Sequence, residues 1–211
     1  MPYKLHYFAG YGRGEGVRML LSHAKAEWEE VSYTFEQMPD AKKTGNLEFG
    51  QLPVLEHDGK FYSQSTSILR ALGKIYGYYP EDAYEAWRVD STVDFIGDLL
   101  NAYYKAAFEP NEEKKGPLLV DFMEKTFPRF LTCIEKRIKS NTTQSFIVGE
   151  KLTIADIALA AVAYSSFLND HNPKKDLQLA VVEKFPDALS YFKGLRSHFA
   201  EYLDTRKPSP W

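Results

Sequence analysis

Residues 49–68 read FGQLPVLEHDGKFYSQSTSI, and the order of preferences in this stretch decides the fold. Leu52 to Leu55 is a run of strand-formers, and His57-Asp58-Gly59 follows it. Asp-Gly favours a type I′ hairpin turn, whose two central residues both need positive φ. Lys60-Phe61-Tyr62 carries the chain back as a second strand. Ser63-Gln64-Ser65 then opens a helical pattern with Ile68, Leu69, Leu72, Ile75 and Tyr76 as its apolar positions. Two features exceed what folding needs. Pro53 stands at the head of a strand, where a missing N–H is awkward. A cis bond there would turn the preceding backbone outward. Gln64 and Ser65 put side-chain donors and free amides at a helix N-terminus, a ready carboxylate site.

Upstream, Pro2 to Phe8 alternates around Tyr3, Leu5 and Tyr7 and reads as a first strand. The glycines of AGYGRGEG do not have dinucleotide-fingerprint spacing; they read as a flexible turn into a helix with Val17, Leu20, Leu21 and Ala24 on its apolar face. Trp28 to Phe35 reads as a second strand, and Met38 to Asn46 as a polar loop. Strand, helix, strand, loop, hairpin, helix is a thioredoxin-like order. No Cys-x-x-Cys follows the first strand, which excludes dithiol redox chemistry.

Gln51-Leu52-Pro53 and Gln64-Ser65, either side of a short hairpin, resemble the glutathione-binding half of the cytosolic glutathione transferases. The resemblance runs nearly end to end and is closest to the sigma class, with mu and alpha as neighbours. It implies that Leu52, before the cis-proline Pro53, pairs main chain to main chain with the cysteinyl unit of glutathione, beside Gln51. It implies that Gln64 and Ser65 hold the γ-glutamyl carboxylate. It also implies that Tyr7 donates a hydrogen bond to the glutathione sulfur. A free thiol has a pKa of about 8.5, and a donor to the charged form lowers it. Read alone, Tyr7 is a core tyrosine. Tyr3, on the same strand, matches no family position. Arg13 is a second catalytic candidate: a fixed cation there would stabilise the thiolate and lower the Tyr7 pKa. Its plainer reading is a surface pair with Glu15. Met38 takes the place of a common tryptophan at the glycyl end of glutathione, and Lys42 or Lys43 is the cation for the glycyl carboxylate.

Gly77-Tyr78-Tyr79-Pro80 breaks the helix opened at Ser65, so residues 1–79 form the expected thioredoxin-like α/β domain and 80–211 an all-helical C-terminal domain. Val89, Val93, Ile96, Leu100, Tyr103 and Ala107 mark one helical face, and Asp90, Asp94 and Asp98 recur on another. The acids read either as a solvated face or, by resemblance, as the place from which Asp98 reaches the glutathione ammonium of a partner subunit. No metal is expected there. A second helix is expected after Pro117, with Cys133 as a packed core thiol. Thr153 and Asp156 form a capping-box pattern before the apolar run Ile157 to Val162, a folding device. Phe185-Pro186 opens a further helix.

The chain has 211 residues, and 44% hydrophobic with 15% aromatic residues suffices for a sizeable core. A net charge of −3 gives no reason to expect nucleic acid or a membrane surface. No apolar run is long enough to span a membrane. The N-terminal MPYKLHYF shows no signal-peptide pattern, and one cysteine fits a reducing compartment, so a cytoplasmic location is expected. The resemblance implies a homodimer that conjugates glutathione, as co-substrate with no tightly bound cofactor, to small hydrophobic electrophiles. The expected electrophile site comprises Phe8, Arg13, Tyr103, Tyr104, Phe108 and Trp211. Two alternatives stand beside it: a glutathione-dependent isomerase of the prostaglandin D synthase type, and a non-enzymatic ligand-binding or crystallin-like protein.

Overall fold

The computed structural model describes residues 1–210; the Trp211 assignment therefore lies outside the described residues. The first layer runs β1 (Tyr3–Phe8), α1 (Glu15–His23), β2 (Trp28–Tyr33), α2 (Met38–Lys43), β3 (Val54–His57), β4 (Lys60–Ser63) and α3 (Ser65–Tyr76). The strands form one sheet in the order β2-β1-β3-β4. β1 is parallel to β2 and antiparallel to β3, with Leu5 opposite Leu55, and β3 pairs antiparallel with β4. This is the thioredoxin-like order expected. Asp58 and Gly59 have φ of 48° and 72°, as the type I′ turn requires. The Leu52-Pro53 peptide bond is cis.

Three local readings are corrected. β3 starts at Val54 rather than Leu52, because Pro53 has no N–H for the ladder. β2 stops at Tyr33 rather than Phe35: the chain turns there, with the Thr34 N–H donating to Gln37 Oε1 at 2.8 Å. The loop expected over Met38 to Asn46 contains α2, whose second residue Pro39 suits the first turn of a helix.

Seven helices follow: α4 (Ala83–Ala107), α5 (Glu112–Asp121), α6 (Phe127–Lys139), α7 (Ile154–Ser165), α8 (Lys175–Val182), α9 (Pro186–Gly194) and α10 (Arg196–Thr205). A wider π-type turn, Phe122–Thr126, joins α5 to α6. α5 begins before Pro117, not after it. The Asn111 side chain caps it by accepting from the Glu113 and Lys114 N–H groups. The carbonyl left unpaired by Pro117 lies on an exposed turn, so the usual cost of an interior proline is softened by water. Cys133 is exposed rather than packed. It sits about 100° around the helix from the buried Ile134, off the stripe of Phe127, Phe130, Leu131 and Ile138.

α7 is buried from Ile154 to Ala161 and forms the centre of the molecule. Its N-terminus carries the expected capping box. The Asp156 carboxylate accepts from the Thr153 N–H and Oγ1, the Ile147 N–H (2.7 Å) and the Tyr191 hydroxyl (2.7 Å). α1 packs on α7 and on α3, so one apolar core, including Leu5, Leu20, Leu69, Ile157 and Phe192, runs through sheet layer and bundle. No described helix is long and apolar enough to cross a membrane.

Candidate functional site

Tyr7 lies near the end of β1, buried at 6% exposure. Its ring fits because the following turn is glycine-rich. A Cβ on Gly12 would stand 2.5 Å from the Tyr7 hydroxyl oxygen, and one on Gly14 only 2.7 Å from the ring. Those glycines therefore supply room for Tyr7, beyond the flexibility read from the sequence. The Arg13 N–H donates to the Tyr7 hydroxyl oxygen at 2.8 Å. Burial raises the Tyr7 pKa; the Arg13 amide and the guanidinium groups of Arg18 and Arg13 only moderate the rise. Arg13 does pull the Tyr7 pKa down, as expected, but desolvation outweighs it and the net shift is upward. The phenol stays protonated at neutral pH with its O–H free to donate. The Tyr3 hydroxyl meets Tyr76 instead, at 3.4 Å.

Arg13 does not pair with Glu15. Its guanidinium donates to Asn101 Oδ1 at 2.8 Å and lies 5.2 Å from the centroid of the Tyr104 ring. Glu15 is fully buried, paired with Arg18 and Arg206, and accepts from the Tyr202 hydroxyl at 3.0 Å. Arg18 donates to the carbonyls of Phe8, Gly10 and Tyr11 and to Glu30, fixing the turn that carries Arg13. Sequence reasoning passed over Arg18 and the burial of Glu15. The available signal was a pair of opposite charges, three residues apart, among the apolar residues of α1.

Around the hairpin, Leu52 is half-buried and Gln51 exposed. Gln64 precedes α3 with φ of 70°, an unusual conformation for a residue with a side chain. Ser65 opens the helix. Met38 packs against the small core of Ala41, Leu47 and Val54. Lys43 is paired with Asp40 at 2.7 Å, whereas the stem of Lys42 passes over Gly50. On α4, Asp90 and Asp94 are both bound by Arg70, each at 2.6 Å, so this face is partly neutralised rather than merely solvated. Asp98 is exposed.

A cavity of about 120 Å³ lies where the sheet layer meets the bundle. Gly12, Arg13, Ser65, Tyr103 and Tyr104 line it together with Ile96, Phe122 and Ala161. Burial raises the pKa of the Tyr103 hydroxyl and, more strongly, that of Tyr104. Phe8 is not in this lining; its ring stacks on Phe35 at 4.6 Å. Phe108 is 64% exposed, its ring tilted against that of Tyr104 at 5.9 Å, and it is not in the lining. The lining therefore gathers Arg13, Ser65, Tyr103 and Tyr104; Tyr7 adjoins it behind Gly12, where its hydroxyl and that of Tyr104 both come near, and Phe8 and Phe108 stay outside. Among the described residues there is no cluster of three or more His, Cys, Asp or Glu suited to a metal.

A thioredoxin-like layer joined to an all-helical bundle, with an apolar cleft between them, defines the class of protein. Residues 3–73 match the glutathione S-transferase N-terminal domain and residues 97–206 the glutathione S-transferase C-terminal domain. Glutathione S-transferase A4 of Mus musculus is 38% identical over 215 residues, covering 98% of this chain and 91% of its own. The solved prostaglandin synthase D of Nilaparvata lugens has a TM-score of 0.85 at 26% identity, covering 99% and 100% of the two chains. The monomeric glutathione S-transferase Na-GST-3 of Necator americanus has a TM-score of 0.85 at 28% identity, with both chains fully covered. The chain belongs to the glutathione S-transferase family. It is a glutathione transferase, with glutathione as its co-substrate.

Proposed function

We propose that this enzyme conjugates glutathione to small apolar electrophiles by holding the sulfur as a thiolate against Tyr7. The observation that carries the reading is the polarised, buried phenol: its oxygen accepts from the Arg13 amide at 2.8 Å, beside a largely apolar cavity. A hydrogen bond accepted from a backbone N–H makes the phenol a stronger donor in turn. Catalysis is then thiolate stabilisation plus positioning. Leu52 offers its main chain to the cysteinyl unit, and Gln64 and Ser65 take the γ-glutamyl carboxylate. Support comes from the strained Gln64 backbone, a conformation that clusters at ligand clamps. Between the two lysines, Lys42 is the better glycyl partner, since Lys43 is engaged by Asp40.

The same proposal has a homodimer in which Asp98 meets the partner's glutathione, a cytoplasmic location, and a division of the chain near residue 79. The sigma-class placement is supported by the sequence resemblance and by the likeness to the Nilaparvata lugens prostaglandin synthase; the 38% identity with the murine A4 protein draws it toward alpha. The likeness to that synthase also favours a second reading, glutathione-dependent isomerisation in the same cavity.

The test is the conjugation rate with a chloronitrobenzene acceptor across pH, for the native protein and Tyr7→Phe. One hydrogen bond to a charged group is worth about 1.5–3 kcal/mol, so the variant should be slower by roughly ten- to hundredfold. Its acid limb should move to higher pH. Equal rates would remove Tyr7 from the mechanism. Glutathione binding without conjugation would turn attention to isomerase substrates.

A further inference from the structure

The cavity does not end at Tyr104. It continues along α7 to α8, where Ser165, Ser166, Asn172 and Gln178 line it. These polar groups close a space whose middle is Leu100, Phe122, Phe127 and Val162. Most are satisfied within the protein. The Ser166 hydroxyl donates to the Val162 carbonyl. The Asn172 amide is fixed in orientation, because its oxygen accepts from the Lys174 N–H at 3.0 Å and its nitrogen donates to the Ser166 carbonyl at 3.0 Å. That nitrogen also donates to Gln178 Oε1 at 2.8 Å. The Gln178 amide must therefore present its oxygen to Asn172, which leaves Nε2 as a donor with no protein partner among the described residues.

Gln178 is only 6% exposed as a residue, and its Nε2 keeps contact with the open space of the cavity it lines. The Ser165 hydroxyl is fully buried, with no partner among the described residues. Unpaired buried donors cost free energy unless an occupant supplies the acceptor. Among the described residues, no lysine, arginine or histidine lines this end of the cavity, and the cation in the lining, Arg13, stands at the Tyr104 end. A carboxylate would be buried here without a counter-charge, which is expensive. A carbonyl oxygen carries no such penalty.

We propose that the α7–α8 end of the cavity recognises a neutral hydrogen-bond acceptor, such as a ketone, ester or amide carbonyl. The substrate class is then an elongated apolar molecule with its electrophilic centre at one end and this carbonyl at the other. Gln178 Nε2 and Ser165 Oγ are the donors, and Gln178 is the specificity-determining residue. The inference rests on the reading of this cavity as the electrophile site.

Two unreactive probes of matched shape test it: 6-(4-nitrophenyl)hexan-2-one and 1-(5-methylhexyl)-4-nitrobenzene, which replaces the carbonyl oxygen by a methyl group. Calorimetric titration of the native protein should give about tenfold tighter binding of the ketone. Gln178→Leu should bring that ratio close to one. Gln178→Met keeps the length of the side chain while removing the donor, so it should do the same without opening a cavity. A native ratio near one, or a ratio that survives both substitutions, overturns the proposal. Competition of the ketone with 1-chloro-2,4-dinitrobenzene in the native enzyme tests the underlying reading separately. A preference without competition would mean that the polar end is real but the cavity is not the acceptor site, and the substrate assignment fails. Competition without a preference retains the site and rejects the carbonyl recognition.

Discussion

Lys42, Gln51 and Gln64 on the sheet side of the cleft are exposed, whereas Ile96, Phe122, Phe127 and Ala161 on the helical side are buried. The sheet side is assembled from short local motifs: the end of a strand, a cis-proline, and a helix N-terminus. Backbone groups and small polar side chains do its work, so it suits a polar, charged tripeptide. The helical side takes one or two side chains from each of several helices that are far apart in sequence. It suits molecules defined by shape and apolar surface. On the proposed reading, polar recognition is built from neighbours in the chain, and apolar recognition from packing.

The widest separation between the two sides should come from Asp156→Ala. It would leave the Ile147 and Thr153 amides and the Tyr191 hydroxyl unpaired in the core of the bundle. A loss of about 3 kcal/mol or more is expected, read as a fall in the midpoint of urea unfolding. A loss below about 1 kcal/mol would reduce the carboxylate to an ordinary cap. Tyr7→Phe comes next, with the rate effect given above and little change in stability. For the native enzyme the rising limb of rate against pH belongs to the glutathione thiol, since burial keeps the Tyr7 pKa above its usual value. That limb should be centred below the free-thiol value of about 8.5; a midpoint at or above it would deny any thiolate stabilisation.

Gly14→Ala places a methyl group 2.7 Å from the Tyr7 ring. The ring must shift, and a displacement of the reacting geometry by a fraction of an ångström should cost about tenfold in kcat. Unaltered kinetics would mean that the turn, not the ring, gives way. Asp98→Ala should have the smallest effect, raising the glutathione KM about three- to fivefold, as expected for an exposed charge pair worth under 1 kcal/mol. An unchanged constant would retire the cross-subunit role and leave Asp98 as a solvated acid.

The hairpin was legible because Asp58-Gly59 carries its conformation in its own chemistry, whatever surrounds it. The same holds for the Thr153–Asp156 cap and the apolar stripe of α6. The positions of Arg18 and Glu15 were not legible in that way. Glu15 was read as a surface partner of Arg13, yet it is buried by Arg206 and Tyr202 from the far end of the chain. Cys133 was misjudged because a thiol is compatible with both faces of α6, and only the phase against Ile134 and Ile138 decides which it takes. Asn111 escaped notice as a cap because Pro117 is the louder signal.

The sequence by itself determined the order of the strands and their flanking helices in the first layer, the Asp58-Gly59 turn, the Thr153–Asp156 cap and the chemical candidates Tyr7, Gln64 and Ser65, since each depends on residues within a few positions of one another. Tertiary structure alone decided that Gly12 and Gly14 make room for a phenol, that Arg13 turns to Asn101 and Tyr104, and that the Ser165 hydroxyl is buried beside Gln178 at the far end of the cavity. These depend on which distant side chains exclude water from one another, and that exclusion sets both the Tyr7 ionisation and the cost of an unpaired hydroxyl.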